Sequence, residues 1–345
     1  MRGANWSRLR KCLPRRNSQL VSARLFCLPS AVLAAVAISH YPNSMYIGIE
    51  IGGTKLQLGL GLGDGAMVRL WRGAVNPAAG GSGIRRQITA AVPEVLSGQG
   101  LSLQQVRGIG IGFGGPVDDA TQSIVRSHQI DGWEDFPISR WLTESLGLPA
   151  ALGNDADVAG LAEATFGAGK GVSPIFYVTV GSGIGGGFIV DGRIYRGVGR
   201  GAAEIGHLRV ISSEGEHVPL EHVASGWGME TRARGHGQSW TARQIADESP
   251  RDPLARSILD DAIAALAEAI CHVVTLLCPR RIVIGGGVSL MGEERFFAPL
   301  RKAVAAREFA PFAGLTDIVP AALGEEVVVH GALALARQRF GNASH

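Results

Sequence analysis

The chain has 345 residues, enough for two domains with substantial cores. Its 46% hydrophobic and 18% charged residues exclude an intrinsically disordered chain. The net charge of +3 is local: seven basic side chains and no acid precede Met45, leaving 26 Lys and Arg against 30 acids in the rest, so the body carries no global basic signal for nucleic acid.

Residues 1–24 are basic and polar, and 25–39 form an apolar run too short for a comfortable membrane span. The stretch fits a secretory signal, a transit peptide, or an upstream start with Met45 as the true first residue. The last reading is adopted, with 1–44 disordered or absent from the mature protein. Four cysteines without a CxxC pair suggest neither a disulfide framework nor a zinc ribbon, and a reducing cytoplasm is expected. Cys271 and Cys278 read as buried small hydrophobes.

From Met45 the pattern predicts strands over 46–51, 56–62 and 67–72, a helix over 83–97 and a buried strand over 106–113. A helix over 138–147 and a strand over 149–153 follow. Asn154 is an N-cap for a helix reaching about Phe166. Strands over 175–180 and 187–191 flank a glycine turn. Residues 252–277 are the longest helical stretch, 281–285 the next strand, and 326–340 a closing helix. This alternation predicts an α/β fold with sheets covered by helices. Two strand–glycine turn–strand openings, Ile49 to Leu60 and Val178 to Val190, hint at two related halves.

Three glycine runs sit at strand ends. Glu50-Ile51-Gly52-Gly53-Thr54-Lys55 offers backbone N–H groups for phosphate oxygens, a hydroxyl, a cation, and a carboxylate for Mg²⁺. Gly181-Ser182-Gly183-Ile184-Gly185-Gly186-Gly187 repeats that chemistry, its glycines permitting positive φ. Gly285-Gly286-Gly287 offers a surface for the flat face of a base. A Rossmann site is excluded, because Gly186 leads into another strand and Gly115 into Pro116, not into a helix. Asn154-Asp155 puts a carboxylate at a helix N-terminus, where the dipole favours its ionisation. Glu204-Ile205-Gly206-His207 sets a carboxylate three residues from an imidazole, with a glycine through which a ligand can close in; alone, each of these motifs also fits a cap or an ordinary turn.

Together these residues resemble the ROK family of sugar kinases and repressors, over about residues 45–340. The likeness rests on the Glu50–Lys55 hairpin, Gly115-Pro116-Val117-Asp118, Asn154-Asp155-Ala156, Gly181–Gly187, Glu204–His207, Leu220-Glu221 with Ser225-Gly226, and the glycine strand after Pro279. The resemblance implies an actin-like ATPase (ribonuclease H-like) fold, two domains with a cleft between them: 45–152, 153–325, and a closing helix returning to the first. It implies Asp155 as general base for a sugar hydroxyl. Asn154, Glu204, His207, Glu221, Gly115 and Gln129 would bind sugar. Gly52, Gly53, Thr54, Lys55, Gly181, Ser182 and Gly183 would bind phosphates, Gly285, Gly286 and Gly287 the adenosine, and Glu50 the Mg²⁺ side.

The implied activity is ATP-dependent phosphorylation of a hexose or N-acetylhexosamine, glucokinase-like, by a cytoplasmic homodimer with no nucleic-acid or membrane partner. A sugar-responsive repressor, a catalytically impaired sugar-binding protein and a kinase using polyphosphate are the competing readings. Three departures stand out. Glu50 replaces the family's Asp, moving the carboxylate by roughly 1.5 Å. Residues 208–220 lack the family's cysteine cluster, so no zinc is expected, and His207 is left to the sugar. The usual Pro-Asn-Leu reads His128-Gln129-Ile130.

Overall fold

The computed structural model describes residues 45–127 and 129–341. The extension 1–44, including Cys12, Cys27 and the apolar run 25–39, and His128 lie outside the described residues.

Chain order explains the architecture. β1 (Met45–Ile51), β2 (Lys55–Gly61) and β3 (Met67–Ala74) form an antiparallel meander. Helix α1 (Gly80–Ser97) follows, then β4 (Val106–Phe113), parallel to β1. The short hairpin β5 (Val117–Asp118) and β6 (Ser123–Ile124), helix α2 (Ile138–Leu146) and β7 (Ala150–Asn154), parallel to β4, complete the first sheet region. The sheet order is β3-β2-β1-β4-β7. After α3 (Asp155–Thr165), β8 (Ile175–Val180), β9 (Ile184–Val190) and β10 (Arg193–Ile194) form a second antiparallel meander. β11 (Arg209–Ile211), β12 (His217–Pro219) and helices α4 (Glu221–Ala224), α5 (Gly226–Gly235), α6 (Ala242–Glu248) and α7 (Pro253–Leu277) precede β13 (Arg281–Gly285). α8 (Ala298–Ala305), β14 (Asp317–Pro320) and α9 (Val327–Phe340) close the chain. The second sheet runs β10-β9-β8-β13-β14, with β13 parallel to both neighbours.

The two sheets therefore share one topology: three antiparallel strands, then two parallel ones beside the first. The central strands β1, β2, β4 and β8 are buried on both faces, and helices with 3.6-residue apolar periodicity cover them. Ile47, Ile49, Leu56, Leu58 and Ile111 fill the first core, with Trp133 edge-on to Phe113. Phe176, Val178, Ile270 and Ile284 fill the second. α9 lies on the first sheet so closely that a Cβ on Gly48 would come within 2.7 Å of the Val329 carbonyl.

Two expectations are corrected. The second glycine turn is shorter than read: β9 begins at Ile184, so Gly185, Gly186 and Gly187 are strand residues. Their bare Cα atoms admit close neighbours; a Cβ on Gly187 would meet Ala156 O and the Asp157 Cα at 2.9 Å. Cys271 and Cys278 are half-buried, not buried: Cys271 lies within α7 against the core, and Cys278 caps the helix end. Sequence periodicity also missed α8 and β14, whose apolar faces are too short to set a period.

Glu163 ties α3 to the segment that follows β14. Its fully buried carboxylate accepts hydrogen bonds from Ala168 N (2.7 Å) and from Ala322 N and Leu323 N (both 2.9 Å). Those N–H groups have no strand partner, so the carboxylate replaces a ladder. Glu163→Ala leaves three part-buried N–H groups without their acceptor and is expected to cost about 2–4 kcal/mol. Chemical denaturation of the variant checks this; a loss below about 1 kcal/mol would contradict it.

Candidate active site

Asp155 begins α3 where β7 ends, at the C-terminal edge of the first sheet. Asn154 caps the helix: its Oδ1 accepts from Ala156 N (2.9 Å), and its Nδ2 donates to the Gly115 carbonyl (3.0 Å). Asp155 Oδ1 also accepts from Ala156 N at 2.8 Å. Its Oδ2 faces Gly114, where a Cβ would stand 3.4 Å away. Burial, then the charges of Glu50 and Glu204, push the Asp155 carboxyl up to about 6, against the pull of the Ala156 N–H. It stays a carboxylate at neutral pH but becomes a better proton acceptor.

Glu50 sits on β1, nearly buried, with Oε1 3.0 Å from Lys55 Nζ. Its Oε2 is buried without a partner. Burial raises its carboxyl above the ordinary range, and Lys55 only partly offsets this. Lys55 also donates to the Glu325 carbonyl at 3.4 Å. Glu50, Lys55, Asp155, Thr179, Gly285 and Glu325 line one cavity of about 350 Å³.

A second cavity of about 570 Å³ adjoins it through Gly287 and Leu290. Gly181, Ser182, Trp227, Glu230, Arg243 and Met291 line it. The turn 181–183 docks on the start of α5, with Gly226 N bonded to Gly181 O (2.7 Å) and Trp227 N to Ser182 O (3.2 Å). Ser225 caps that helix through Gly228 N at 3.0 Å.

Of the sugar-side residues, Glu204 and His207 lie on the loop after β10 and Glu221 begins α4. Glu204 and His207 are exposed, and His207 Nδ1 is 4.0 Å from Glu221 Oε1. Glu221 Oε2 would stand 3.2 Å from a Cβ on Gly183, so it borders the phosphate-side turn as well. Burial and Glu221 raise the Glu204 carboxyl, opposed by His207.

Four details differ from the motif reading. Gly52 N closes its own turn onto Lys55 O (3.0 Å) and Gly181 N onto Gly183 O (2.9 Å), so neither N–H is spare. Positive φ is used only at Gly286 (86°) among the glycines singled out. Gly206 is bare for Ile184, whose carbonyl a Cβ would strike, and not for a ligand. The Gln129 carboxamide covers Gly53, which puts it over the first turn. Of the third run, Gly285 and Gly286 line only the Asp155 cavity, while Gly287 borders both. Trp227, Glu230, Arg243 and Glu325 escaped sequence reading, since no local pattern joins them.

A model of the ROK family matches residues 46–339. The chain belongs to the ROK family. It is 33% identical to a glucokinase of Halalkalibacterium halodurans, over 85% of this chain and 95% of that one. It superposes on the ROK hexokinase of Thermus thermophilus with a TM-score of 0.75 at 28% identity, covering 86% and 98% of the two chains. The ROK glucokinase of Streptomyces griseus, solved with glucose and AMPPNP, gives 0.70 at 29% identity over 85% and 99%. The ROK fold is thus the actin-like sugar-kinase fold, as the repeated sheet topology indicates. Among the described residues no helix is long and apolar enough to cross a membrane.

Proposed function

We propose that this protein is an ATP-dependent hexose kinase, glucokinase-like, with Asp155 as general base. The observation that carries the reading is the raised, half-buried Asp155 carboxylate in one cavity with Glu50, Lys55 and Gly285–Gly287, a cavity that adjoins the Trp227 cavity through Gly287 and Leu290. The Streptomyces griseus complex shows that a ROK relative takes glucose and an ATP analogue together.

In this reading the Trp227 cavity takes the adenosine, with the turn 181–183 and Gly53–Lys55 beside the phosphates. Glu204, His207, Asn154 and Glu221 orient the sugar. Asp155 accepts the proton of the attacking hydroxyl as its oxygen bonds to the γ-phosphorus and the bond to the β-phosphate oxygen breaks, releasing ADP. Phosphoryl transfer asks mainly for such positioning. The buried, unpaired Oε2 of Glu50 fits a metal or its water, so Glu50 would hold Mg²⁺ on the phosphates. The ion supplies neutralisation of phosphate charge. Lys55 then shifts from Glu50 towards a phosphate.

Trp227→Ala is expected to raise the KM for ATP about tenfold with kcat nearly unchanged, because stacking contributes equally to ground and transition states. Steady-state ADP release at varied ATP checks it; an unchanged KM would place the base elsewhere.

A further inference from the structure

A further cavity, of about 620 Å³, is larger than either cavity of the cleft and shares no lining residue with them. It lies between the β9–β10 turn and the last helix. Asp191, Arg193 and Arg196 line one side, and Leu335, Gln338 and Arg339 the other. Three guanidinium groups thus face one carboxylate in the cavity wall. That carboxylate is occupied, accepting from the Ser173 hydroxyl at 3.0 Å. Arg196 Nη1 and Arg339 Nη2 share a single oxygen of Asp119, at 2.9 and 3.3 Å. One carboxylate carries a single negative charge against these two cations, and the buried Asp157 beside Arg196 is the other acid facing them, its carboxyl pushed up to about 7 chiefly by burial. Arg193 is exposed, and among the described residues it has no hydrogen-bond or ion-pair partner. The frame is fixed: β10 pairs with β9 through Arg193 and Val190, and Gln338 Nε2 donates to Gly192 O at 2.8 Å across the rim.

We propose that this pocket binds a phosphate monoester, held by Arg193, Arg196 and Arg339. Guanidinium forks match tetrahedral oxygens in pairs. The concave shape suits a small molecule, whereas a polynucleotide needs an extended basic surface that the acidic body lacks. Binding carries a consequence for the cleft, which rests on the kinase reading. Arg196 begins the loop that ends at Glu204, and Asp119 holds that loop twice, through Arg196 and by donating its N–H to Gly199 O at 2.8 Å. A dianion at Arg196 competes with Asp119, loosens the loop and raises the KM for sugar.

The test is isothermal titration of the full chain with inorganic phosphate and, separately, glucose 6-phosphate. It is run at low ionic strength with glucose and a non-hydrolysable ATP analogue present to fill the cleft. These additions are inert if the kinase reading fails, so the two failures are distinguishable. Saturable binding is expected, weakened about tenfold by Arg193→Ala and about a hundredfold by Arg193→Ala with Arg339→Ala. Equal affinity for both probes identifies the phosphate alone as the ligand. Tighter binding of the sugar phosphate adds the sugar as a determinant. Absence of heat from both probes up to about 10 mM, or binding indifferent to both variants, overturns the proposal.

Discussion

Asp155→Asn lowers kcat by about 10³-fold while the Kd for glucose moves only a few-fold, because a general base acts on the proton in the transition state more than on the bound sugar. Asn keeps the size of the side chain and its contact with Ala156 N, so the fold and the α3 cap survive. The base works as a carboxylate, and its carboxyl is pushed up to about 6 by burial, Glu50 and Glu204. Activity is therefore lost as pH falls through about 6, with kcat/KM dropping about tenfold per unit below that. The residual rate of the Asn variant has no such limb. A variant that kept both the rate and the limb would assign the proton to another group.

Glu50→Gln is the second large effect. It is expected to lower kcat by about 10²-fold and to raise the Mg²⁺ concentration for half-maximal rate about tenfold. The basis is a charge-assisted contact of roughly 1.5–3 kcal/mol lost on the phosphate side. Stability moves the other way or stays level, since the substitution removes a charge that burial disfavours while keeping the side chain's shape. Glu50→Asp keeps the charge and retains most of the activity. If Glu50→Gln leaves the Mg²⁺ dependence unchanged, the carboxylate serves only its pair with Lys55.

Local chemistry made much of the fold readable. Alternating apolar residues around Gly52-Gly53 and Gly181–Gly183 mark the two meanders, and Asn154 before an apolar helix marks α3. Asp155 was reachable only as part of a family pattern, because an N-cap pair looks the same without a cleft. The Trp227 cavity was not legible: its walls come from α5, α6 and the turn after β13, which meet only on packing. Glycines misled where packing claimed them. Gly187 and Gly206 look like ligand turns, yet they leave room for α3 and for Ile184. Glu163 was invisible for the converse reason, since its three N–H partners lie at sequence separations of 5 and about 160 residues.

The most direct measurement is ATP-dependent ADP release by the full chain with glucose, N-acetylglucosamine, N-acetylmannosamine, fructose and mannose, each with and without Asp155→Asn. The account predicts sugar-dependent release with at least one of them, highest with glucose, and its collapse in the variant. Binding of these sugars without ADP release from any, or release that survives in the variant, would contradict it.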